Sequence, residues 1–304
     1  MSWPVDVIEV KIVSSEDGAS QLAMFYTPAA DDPVPLLVGL HTWSGRYDQI
    51  DGAAYADWCK AKGWVFIHPD FRGPNGSAES TGSDLVISDI LDAVSYARAH
   101  ANVDTNRIYL CGVSGGGHAA LLVVARAPDI WAGVSVWASI TDLAAWYKEC
   151  VSSGQPYAQD LLTACGGSPE SGESVRLEYD RRSPLRQLNN ARGVRIDLNA
   201  GIHDGHRGSV PISHSLLAFN ELAAPDERLS SIDILQMTVE ASVPPHLQAD
   251  IEDTSYGDRT PLFRRESQNV RLTIFDGGHE IVYNAALNWL SQQTRVCEAS
   301  NPRN

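Results

Sequence analysis

A serine between small residues carries the clearest chemical signal in the sequence. Residues 108–111 form a short apolar run, residues 112–116 read Gly-Val-Ser-Gly-Gly, and an Ala-rich segment follows. A Gly-x-Ser-x-Gly string between a strand and a helix is typical of a sharp turn that pushes the serine hydroxyl out of the chain. Gly112 and Gly116 leave room for the strained backbone because neither carries a Cβ. The pattern predicts a nucleophile at Ser114, with a plain glycine-serine turn as the alternative.

A histidine and an aspartate later in the chain have the types that such a serine requires. A serine hydroxyl is a weak nucleophile, so it needs a base within hydrogen-bond reach and an acid that orients the base. His279 is the only histidine after the last predicted strand, residues 270–275, and Asp204 follows the predicted strand over residues 194–200. The chain order serine, acid, histidine predicts Asp204 as the acid and His279 as the base, with an Asp-Gly turn as the alternative at Asp204. The other candidate acids are Asp233, Asp250 and Asp276.

Backbone N–H groups near the serine would stabilise the negative charge that develops on a substrate carbonyl oxygen. One donor of this oxyanion hole is predicted at Gly115, directly after the nucleophile. The second is predicted after the apolar strand of residues 36–40, from Trp43 N–H or from Thr42 N–H. Each such donor commonly contributes about 10²–10³ in rate. Gly115 also begins a helix, whose positive end favours an anion.

Three aromatic residues are predicted near the mouth of this site. Trp43 follows a strand end, and Trp146 and Tyr147 lie in an irregular segment later in the chain. Rings in these places could bind substrate by stacking on a sugar ring or on an aryl acid. An equal alternative is that they pack the irregular segment onto the rest of the protein.

Three histidines and an aspartate lie close enough in the sequence to be candidate metal ligands. The candidate cluster consists of His203, Asp204, His206 and His214. Its spacing fits no recognised site, and Gly and Pro lie between the members. His118 lies one helical turn after the nucleophile and is predicted to pack within its helix. The sequence therefore predicts neither a bound metal nor a cofactor.

Composition and charge exclude several classes of partner. The chain has 304 residues, a net charge of −15 and 43% hydrophobic residues. An acidic balance argues against nucleic acid or an anionic membrane as a partner, because both require a basic face. No apolar run approaches the roughly 18 residues of a membrane helix, and the N-terminus lacks a basic segment followed by an apolar stretch. We therefore expect a cytoplasmic protein, and the sequence leaves homo-oligomer formation open.

Predicted strands and helices alternate between residues 36 and 137. This alternation predicts βαβ units, and hence an α/β fold with a mostly parallel central sheet flanked by helices. In such sheets the functional groups gather at the carboxyl ends of the strands, where Ser114 would lie. Residues 140–193 and 223–269 lack strong periodicity and are predicted as excursions that cap the active site. We expect one domain over residues 1–304.

Several motifs, taken in register, resemble the α/β-hydrolase superfamily, and within it the catalytic domain of the prolyl oligopeptidase family and its esterase relatives. The resemblance runs from about Leu36 to the C-terminus. The strings that carry it are 70–73 (Asp-Phe-Arg-Gly), 112–118 (Gly-Val-Ser-Gly-Gly-Gly-His) and 278–280 (Gly-His-Glu), with 89–93, 103–104, 107–110, 140–143, 182–185 and 210–211. It implies an α/β-hydrolase fold with Ser114 as nucleophile, Asp204 as acid and His279 as base.

The sequence departs from the family pattern in the loops that would form the site. The acid loop of the family usually runs Gly-x-x-Asp-x-x-Val-Pro, whereas here Val210-Pro211 comes three residues late after Asp204. After the strand of residues 36–40 the family usually has His-Gly, whereas this sequence has His41-Thr42. Oligopeptidases of the family also carry an N-terminal β-propeller, and the 35 residues before Leu36 are too few for its four-stranded blades. We therefore expect a freestanding esterase rather than a peptidase.

The function predicted from these residues is that of a serine carboxylic-ester hydrolase that works through an acyl-enzyme. Its expected partner is a small-molecule or oligosaccharide ester, such as an acetylated or feruloylated carbohydrate. A serine aminopeptidase or small oligopeptidase is the alternative enzyme. A catalytically silent hydrolase-fold binding protein is the alternative from another class, and the presence of all three triad residue types argues against it.

Overall fold

A nine-stranded β-sheet forms the centre of the computed structural model, which describes residues 2–295. The strands are β1 (Ile8–Val13), β2 (Ser20–Tyr26), β3 (Val34–Leu40), β4 (Val65–Pro69), β5 (Val103–Val113), β6 (Gly133–Trp137), β7 (Ile196–Gly201), β8 (Pro261–Ser267) and β9 (Val270–Phe275). Their order in the sheet is β1-β2-β4-β3-β5-β6-β7-β9-β8. Strands β3 to β7 and β9 pair in parallel, and antiparallel pairs lie at the two edges. This confirms the predicted α/β fold with a mostly parallel sheet.

Helices connect the strands and cover both faces of the sheet. The helices of the described chain are α1 (Gly52–Lys62), α2 (Asp84–His100), α3 (Gly115–Arg126), α4 (Leu143–Ser153), α5 (Tyr157–Cys165), α6 (Glu173–Arg182), α7 (Ser213–Leu222), α8 (Ser231–Glu240) and α9 (Tyr283–Ser291). Apolar side chains of α2, α3 and α7 pack on one face, and those of α1 and α9 pack on the other. Strands β4 and β6 are buried along their whole length because helices lie on both sides of them. Within residues 2–295, no helix is long and apolar enough to cross a membrane.

Residues 140–193 form the first excursion, and a buried histidine anchors it to α7. The side chain of Asp142 caps α4 by accepting the N–H groups of the first turn. The ring of His214, on α7, accepts the Thr141 N–H at 3.1 Å through Nδ1 and donates through Nε2 to Glu149 at 2.9 Å. Because Thr141 and Glu149 lie before and within α4, His214 fixes where the excursion begins.

Residues 223–269, the second expected excursion, differ from the prediction. They contain α8 and the edge strand β8, which pairs antiparallel with β9. None of them lines the cavity that contains Ser114. The β8 sequence, Pro-Leu-Phe-Arg-Arg-Glu-Ser, carries charged side chains, as exposed sheet edges commonly do. Its apolar alternation was therefore too weak to predict a strand.

Candidate active site

The turn between β5 and α3 holds Ser114 in a backbone conformation that few residues adopt. Its φ and ψ are 60° and −121°, in the left-handed half of conformational space. A Cβ on Gly112 would overlap the carbonyl group of Gly116, and a Cβ on Gly116 would lie 2.7 Å from the Leu40 carbonyl oxygen. The Ser114 N–H donates to the Trp137 carbonyl at 2.9 Å, which ties the turn to the end of β6. The two glycines of the motif are therefore required by close backbone approach.

Asp204 and His279 form a hydrogen-bonded pair at the ends of β7 and β9. His279 Nδ1 lies 2.7 Å from Asp204 Oδ2. The side chain of Asp204 is buried, at 1% exposure, whereas that of His279 is 23% exposed. An ionised carboxylate has only acceptors, so Nδ1 carries the proton and Nε2 is left with its lone pair. The arrangement suits a base that an acid orients.

The acid loop accommodates its three additional residues and still holds the carboxylate. Asp204 Oδ1 accepts the N–H of Gly205 at 2.9 Å and the N–H of Val210 at 3.2 Å. His206 lies within the added stretch, and its Nε2 donates to a carbonyl of α8 at 2.9 Å. A Cβ on Gly208 would overlap Asp204 Oδ1 and lie 2.6 Å from His279 Cβ, so this glycine lets the loop close over the pair. Sequence reasoning did not identify Gly208, although the shifted Val-Pro was the signal that the loop is rebuilt.

The other candidate acids have different neighbours. Asp276 lies 3.3 Å from His203. Asp233 lies 3.0 Å from His246 and accepts a hydrogen bond from Ser230 at the start of α8. Asp250 lines a separate cavity. Asp204 is therefore the candidate that the structure brings to His279.

The oxyanion loop leaves Trp43 N–H as the second candidate donor. The Thr42 N–H donates to Gln49 Oε1 at 2.8 Å, and Gln49 Nε2 donates back to Thr42 Oγ1 at 3.0 Å. The Thr42 amide is therefore already engaged. The Trp43 backbone lies against the nucleophile turn: a Cβ added to Gly115 would be only 2.5 Å from Trp43 N. The two predicted donors, Gly115 and Trp43, thus lie side by side.

A buried histidine holds the oxyanion loop against the chain that follows β4. His41 Nδ1 lies 2.8 Å from the Thr42 carbonyl oxygen, and its Nε2 lies 2.7 Å from that of Asp70. Its ring stacks on Phe71 with 3.8 Å between ring centroids. Burial lowers the pKa of His41, because a charged ring would be desolvated there. The string 70–73 that carries the family resemblance therefore contacts the loop that would supply the oxyanion donor.

Ser114 and His279 line the same cavity, which has a volume of about 440 Å³. Its lining residues are Thr42, Trp43, Ser44, Gln49, Asp51, Val113, Ser114, Tyr157, His279, Glu280, Ile281 and Tyr283. Within residues 2–295, no hydrogen bond joins Ser114 Oγ to His279 Nε2. Contacts of this kind are often long in unliganded enzymes and tighten when substrate binds. The cavity therefore brings the candidate nucleophile and base to one space open to a ligand.

The structure corrects part of the aromatic prediction. Trp43 lines the cavity, whereas Trp146 and Tyr147 do not. Trp146 is buried, at 1% exposure, and its Nε1 donates to the Ser209 carbonyl at 2.8 Å. Tyr147 packs against Tyr179. Both rings therefore support the excursion and the acid loop, as the packing alternative expected.

Tyr157 is the aromatic residue of the excursion that does reach the cavity. It is the first residue of α5, and its ring stacks on Trp146 with 5.3 Å between centroids. Trp146 in turn lies edge-on to Trp43, at 4.7 Å. The three rings therefore form one aromatic cluster that extends from the cavity wall into the excursion. Tyr157 lies ten residues after Tyr147, on the next helix, and gave no separate signal in the sequence.

The histidines of the candidate metal cluster do not converge on one site. Over residues 2–295, no group of three or more His, Cys, Asp or Glu side chains is arranged to hold a metal ion. His206 and His214 contact α8 and α4 respectively. His118 is buried, and its Nε2 donates to the Arg182 carbonyl at 2.8 Å. Burial lowers the pKa of His118 to about 4, which fits a neutral helix residue.

Known proteins with similar folds include esterases and peptidases. An acetyl xylan esterase from Paenibacillus sp. R4 superposes with a TM-score of 0.64, at 17% identity, over 96% of this chain and 86% of its own. An acylaminoacyl peptidase from Pyrococcus horikoshii superposes with a TM-score of 0.55, at 16% identity, over 71% of this chain and 34% of its own. At these identities the comparison shows the fold alone.

Sequence relatives are described as peptidases and are longer than the region that matches. The uncharacterized peptidase YtmA of Bacillus subtilis (strain 168) is 27% identical over 53% of this chain and 59% of its own. Dipeptidyl aminopeptidase BIII of Pseudoxanthomonas mexicana is 24% identical over 44% of this chain and 21% of its own. The model of the prolyl oligopeptidase family matches residues 53–239, which is more than half of the chain and includes Ser114 and Asp204. The chain therefore belongs to the prolyl oligopeptidase family and has the α/β-hydrolase fold.

Proposed function

We propose that the protein is a carboxylic-ester hydrolase in which Ser114 is the nucleophile, His279 the base and Asp204 the acid. The observation that carries the proposal is the 2.7 Å contact between His279 and the buried Asp204, in a pair whose histidine shares a cavity with Ser114. A serine on a strained turn becomes a useful nucleophile only beside such a pair.

The first half of the reaction would form an acyl-enzyme. His279 Nε2 takes the proton of Ser114 as the serine oxygen attacks the ester carbonyl carbon. The carbonyl oxygen becomes an oxyanion, and the N–H groups of Gly115 and Trp43 donate to it. When the intermediate collapses, the bond to the alcohol breaks and His279 returns the proton to the leaving alcohol. Asp204 keeps the imidazole in one tautomer and stabilises its charged form.

The second half would release the acid. A water molecule takes the place of the alcohol and gives a proton to His279 Nε2 while its oxygen attacks the acyl carbon. The same two N–H groups stabilise the second oxyanion. Collapse returns the proton to Ser114, and the carboxylic acid leaves. The cycle consumes one water and needs no cofactor.

The fold comparison and the volume of the cavity favour an ester of modest size. The acetyl xylan esterase is a neighbour whose own chain is matched over most of its length. A cavity of about 440 Å³ lies in the range of small-molecule sites. The partly exposed ring of Tyr157, beside the buried Trp43, would suit a sugar ring or an aryl acid. We propose acetylated or feruloylated carbohydrates as candidate substrates on this basis.

A serine aminopeptidase is the second candidate. The curated relatives are described as peptidases, and one of them as a dipeptidyl aminopeptidase. An amide differs from an ester chiefly in its poorer leaving group, which His279 would have to protonate. The same triad would serve both reactions, so substrate turnover must decide between them.

A substrate panel on the purified protein tests the proposal. Nitrophenyl acyl esters and acetylated sugars are compared with aminoacyl-arylamides, and Ser114→Ala serves as the inactive control. Ester turnover that Ser114→Ala abolishes, with labelling of the wild type by a fluorophosphonate, supports the esterase. Turnover of arylamides above esters would favour the aminopeptidase. Absence of both turnover and labelling would favour a binding protein and overturn the proposal.

A further inference from the structure

The lining of the catalytic cavity has a chemical character that hydrolysis of an uncharged ester does not require. Its charged side chains, apart from the histidine, are Asp51 and Glu280, and no Lys or Arg is among its lining residues. Its aromatic side chains are Trp43, Tyr157 and Tyr283. We propose that this cavity selects substrates that carry a cationic group, an ammonium or quaternary ammonium, and that Asp51 determines this preference. The inference rests on the proposed hydrolysis at Ser114.

Asp51 is a carboxylate without a cationic partner in the described part of the chain. Gln49 Nε2 donates to Asp51 Oδ2 at 3.2 Å and also to Thr42 Oγ1 at 3.0 Å. Tyr283 OH donates to the Asp51 main-chain oxygen at 3.1 Å. The aspartate is therefore fixed at both its backbone and its side chain. Asp51 lines the cavity, is exposed, and has no ion-pair partner among residues 2–295.

Glu280 contributes less charge because it is already paired. Its Oε2 accepts from Arg259 at 2.9 Å, and its Oε1 accepts the Gly278 N–H at 3.1 Å. Burial alone would raise the pKa of Glu280, but the hydrogen bonds from Arg259 and Gly278 together with the arginine charge outweigh it, so the pKa is lowered and the carboxylate stays ionised. Arg46, which lies on the oxyanion loop, is 3.9 Å from the Asp70 carboxylate. Both nearby arginines thus have acidic partners, which leaves the negative charge of Asp51 uncompensated.

The aromatic rings supply the second half of the recognition. Tyr157 and Tyr283 are partly exposed where they line the cavity. Trp43, at 3% exposure, lies edge-on to Tyr157 with 6.4 Å between centroids, and Tyr283 lies edge-on to Tyr55 at 5.0 Å. The face of an aromatic ring attracts a cation electrostatically, most strongly for Trp, then Tyr. Rings combined with a nearby carboxylate favour a cation over an uncharged group of the same shape. The net charge of −15 adds a long-range attraction of the same sign.

Isosteric substrate pairs test the inference directly. Acetylthiocholine, whose leaving group carries the cation, is compared with the uncharged neohexyl thioacetate. The nitrophenyl ester of betaine is compared with that of tert-butylacetic acid, which places it on the acyl side. In each pair a quaternary nitrogen replaces a carbon, so shape is held constant. Each kcat/KM is divided by the rate constant for hydroxide hydrolysis of the same ester, because the ammonium also activates the ester inductively. We expect kcat/KM to favour the cationic member of one pair by about five-fold or more at low salt, mainly through KM, and the preference to shrink at about 1 M salt.

Two matched variants assign the preference to Asp51. Asp51→Asn keeps the shape and the acceptor for Gln49, and we expect it to lower the cation preference, measured as the ratio of kcat/KM within each pair, about three- to five-fold. Asp48→Asn removes the same charge from an exposed residue of the same loop that does not line the cavity, and it should leave the preference unchanged. A wild-type ratio at or below one in both pairs would overturn the inference, as would an Asp51→Asn variant with the wild-type ratio.

Cation preference and ester turnover can fail independently, so this inference and the proposed function are tested separately. Turnover of neutral esters with no cation preference would reject the role of Asp51 and leave the triad intact. Loss of all ester turnover together with loss of fluorophosphonate labelling would reject the proposed function itself. Each result therefore identifies which of the two statements is wrong.

Discussion

Val210 N–H donates to Asp204 Oδ1 at 3.2 Å, although six positions separate the two residues along the chain. The contact closes a loop that holds three residues more than the family pattern between the acid and its Val-Pro. Gly205 N–H donates to the same oxygen at 2.9 Å, so the other carboxylate oxygen is left for His279. The added residues thus extend the loop toward α8 without moving the acid from its histidine.

We predict that Asp204→Asn lowers kcat for ester hydrolysis by about 10⁴-fold, as the loss of a buried triad acid does elsewhere. The amide N–H₂ would face His279 Nδ1, which would then have to accept. That tautomer places the ring proton on Nε2, where it cannot remove the serine proton. Steady-state kinetics and a melting temperature for the variant check the prediction.

The matched control is Asp276→Asn, which changes an aspartate on the same loop as His279. Asp276 contacts His203 rather than His279, so we expect near wild-type kcat. If the Asp276 variant were inactive and the Asp204 variant active, the acid would have been assigned to the wrong residue.

We predict that Gly208→Ala lowers kcat/KM by about 10²-fold, the effect of misplacing catalytic groups by around 1 Å. The added Cβ would overlap Asp204 Oδ1 and lie 2.6 Å from His279 Cβ, so the pair must separate or the loop must move. Gly278→Ala is the control, since its Cβ would meet nothing within 4 Å although it precedes His279. Equal activity of the two variants would show that close packing of the loop on the pair is not required.

The sequence could predict the parts of this fold that depend on buried, continuous apolar runs. Strands β3, β4 and β6 are such runs because helices cover both sides of the sheet. The edge strand β8 was not predicted, since its charged residues obscure the alternation. The type and order of Ser114, Asp204 and His279 could be read from strand ends, because those ends meet at one edge of a parallel sheet.

Contacts that arise between distant loops could not be predicted from local patterns. Gly208 acts through close approach to two residues from different loops, and a lone glycine in a loop carries no such information. Trp146 and Tyr157 are both aromatic residues of the excursion, yet only Tyr157 lines the cavity. Which ring is exposed depends on how α4 and α5 pack, and the sequence spacing does not specify that packing. The family usually has Gly where this sequence has Thr42. The two hydrogen bonds between Thr42 and Gln49, which the sequence does not reveal, account for the threonine.

We predict that Gln49→Met lowers kcat about 10- to 100-fold with little change in KM for a neutral ester, because an oxyanion donor would lose its orientation. Gln49 holds Thr42 through two hydrogen bonds, and the next amide is that of Trp43. Methionine preserves the shape of the side chain and removes both hydrogen-bonding groups. Separate determination of kcat and KM checks the prediction. An unchanged kcat, or a change confined to KM, would contradict a positioning role.

We predict that His118 makes the protein less stable as the pH falls from about 6.5 toward 4. Burial lowers the pKa of His118 from 6.5 to about 4, and its Nδ1 has no hydrogen-bond partner. In this interval the unfolded chain binds a proton that the folded chain does not, so the free energy of unfolding decreases. The contribution is fully present above pH 6.5 and amounts to about 3 kcal/mol across the interval.

His118→Gln isolates this contribution, because glutamine keeps an N–H donor for the Arg182 carbonyl and does not titrate. Urea unfolding at a series of pH values should give a shallower pH dependence for the variant, by up to about one proton between pH 6.5 and 4. His68, whose pKa burial lowers to about 3, acts in the same direction and is retained in both proteins, so the variant still loses some stability. Superimposable curves for wild type and His118→Gln would show that the His118 ring is protonated equally in the folded and unfolded chains.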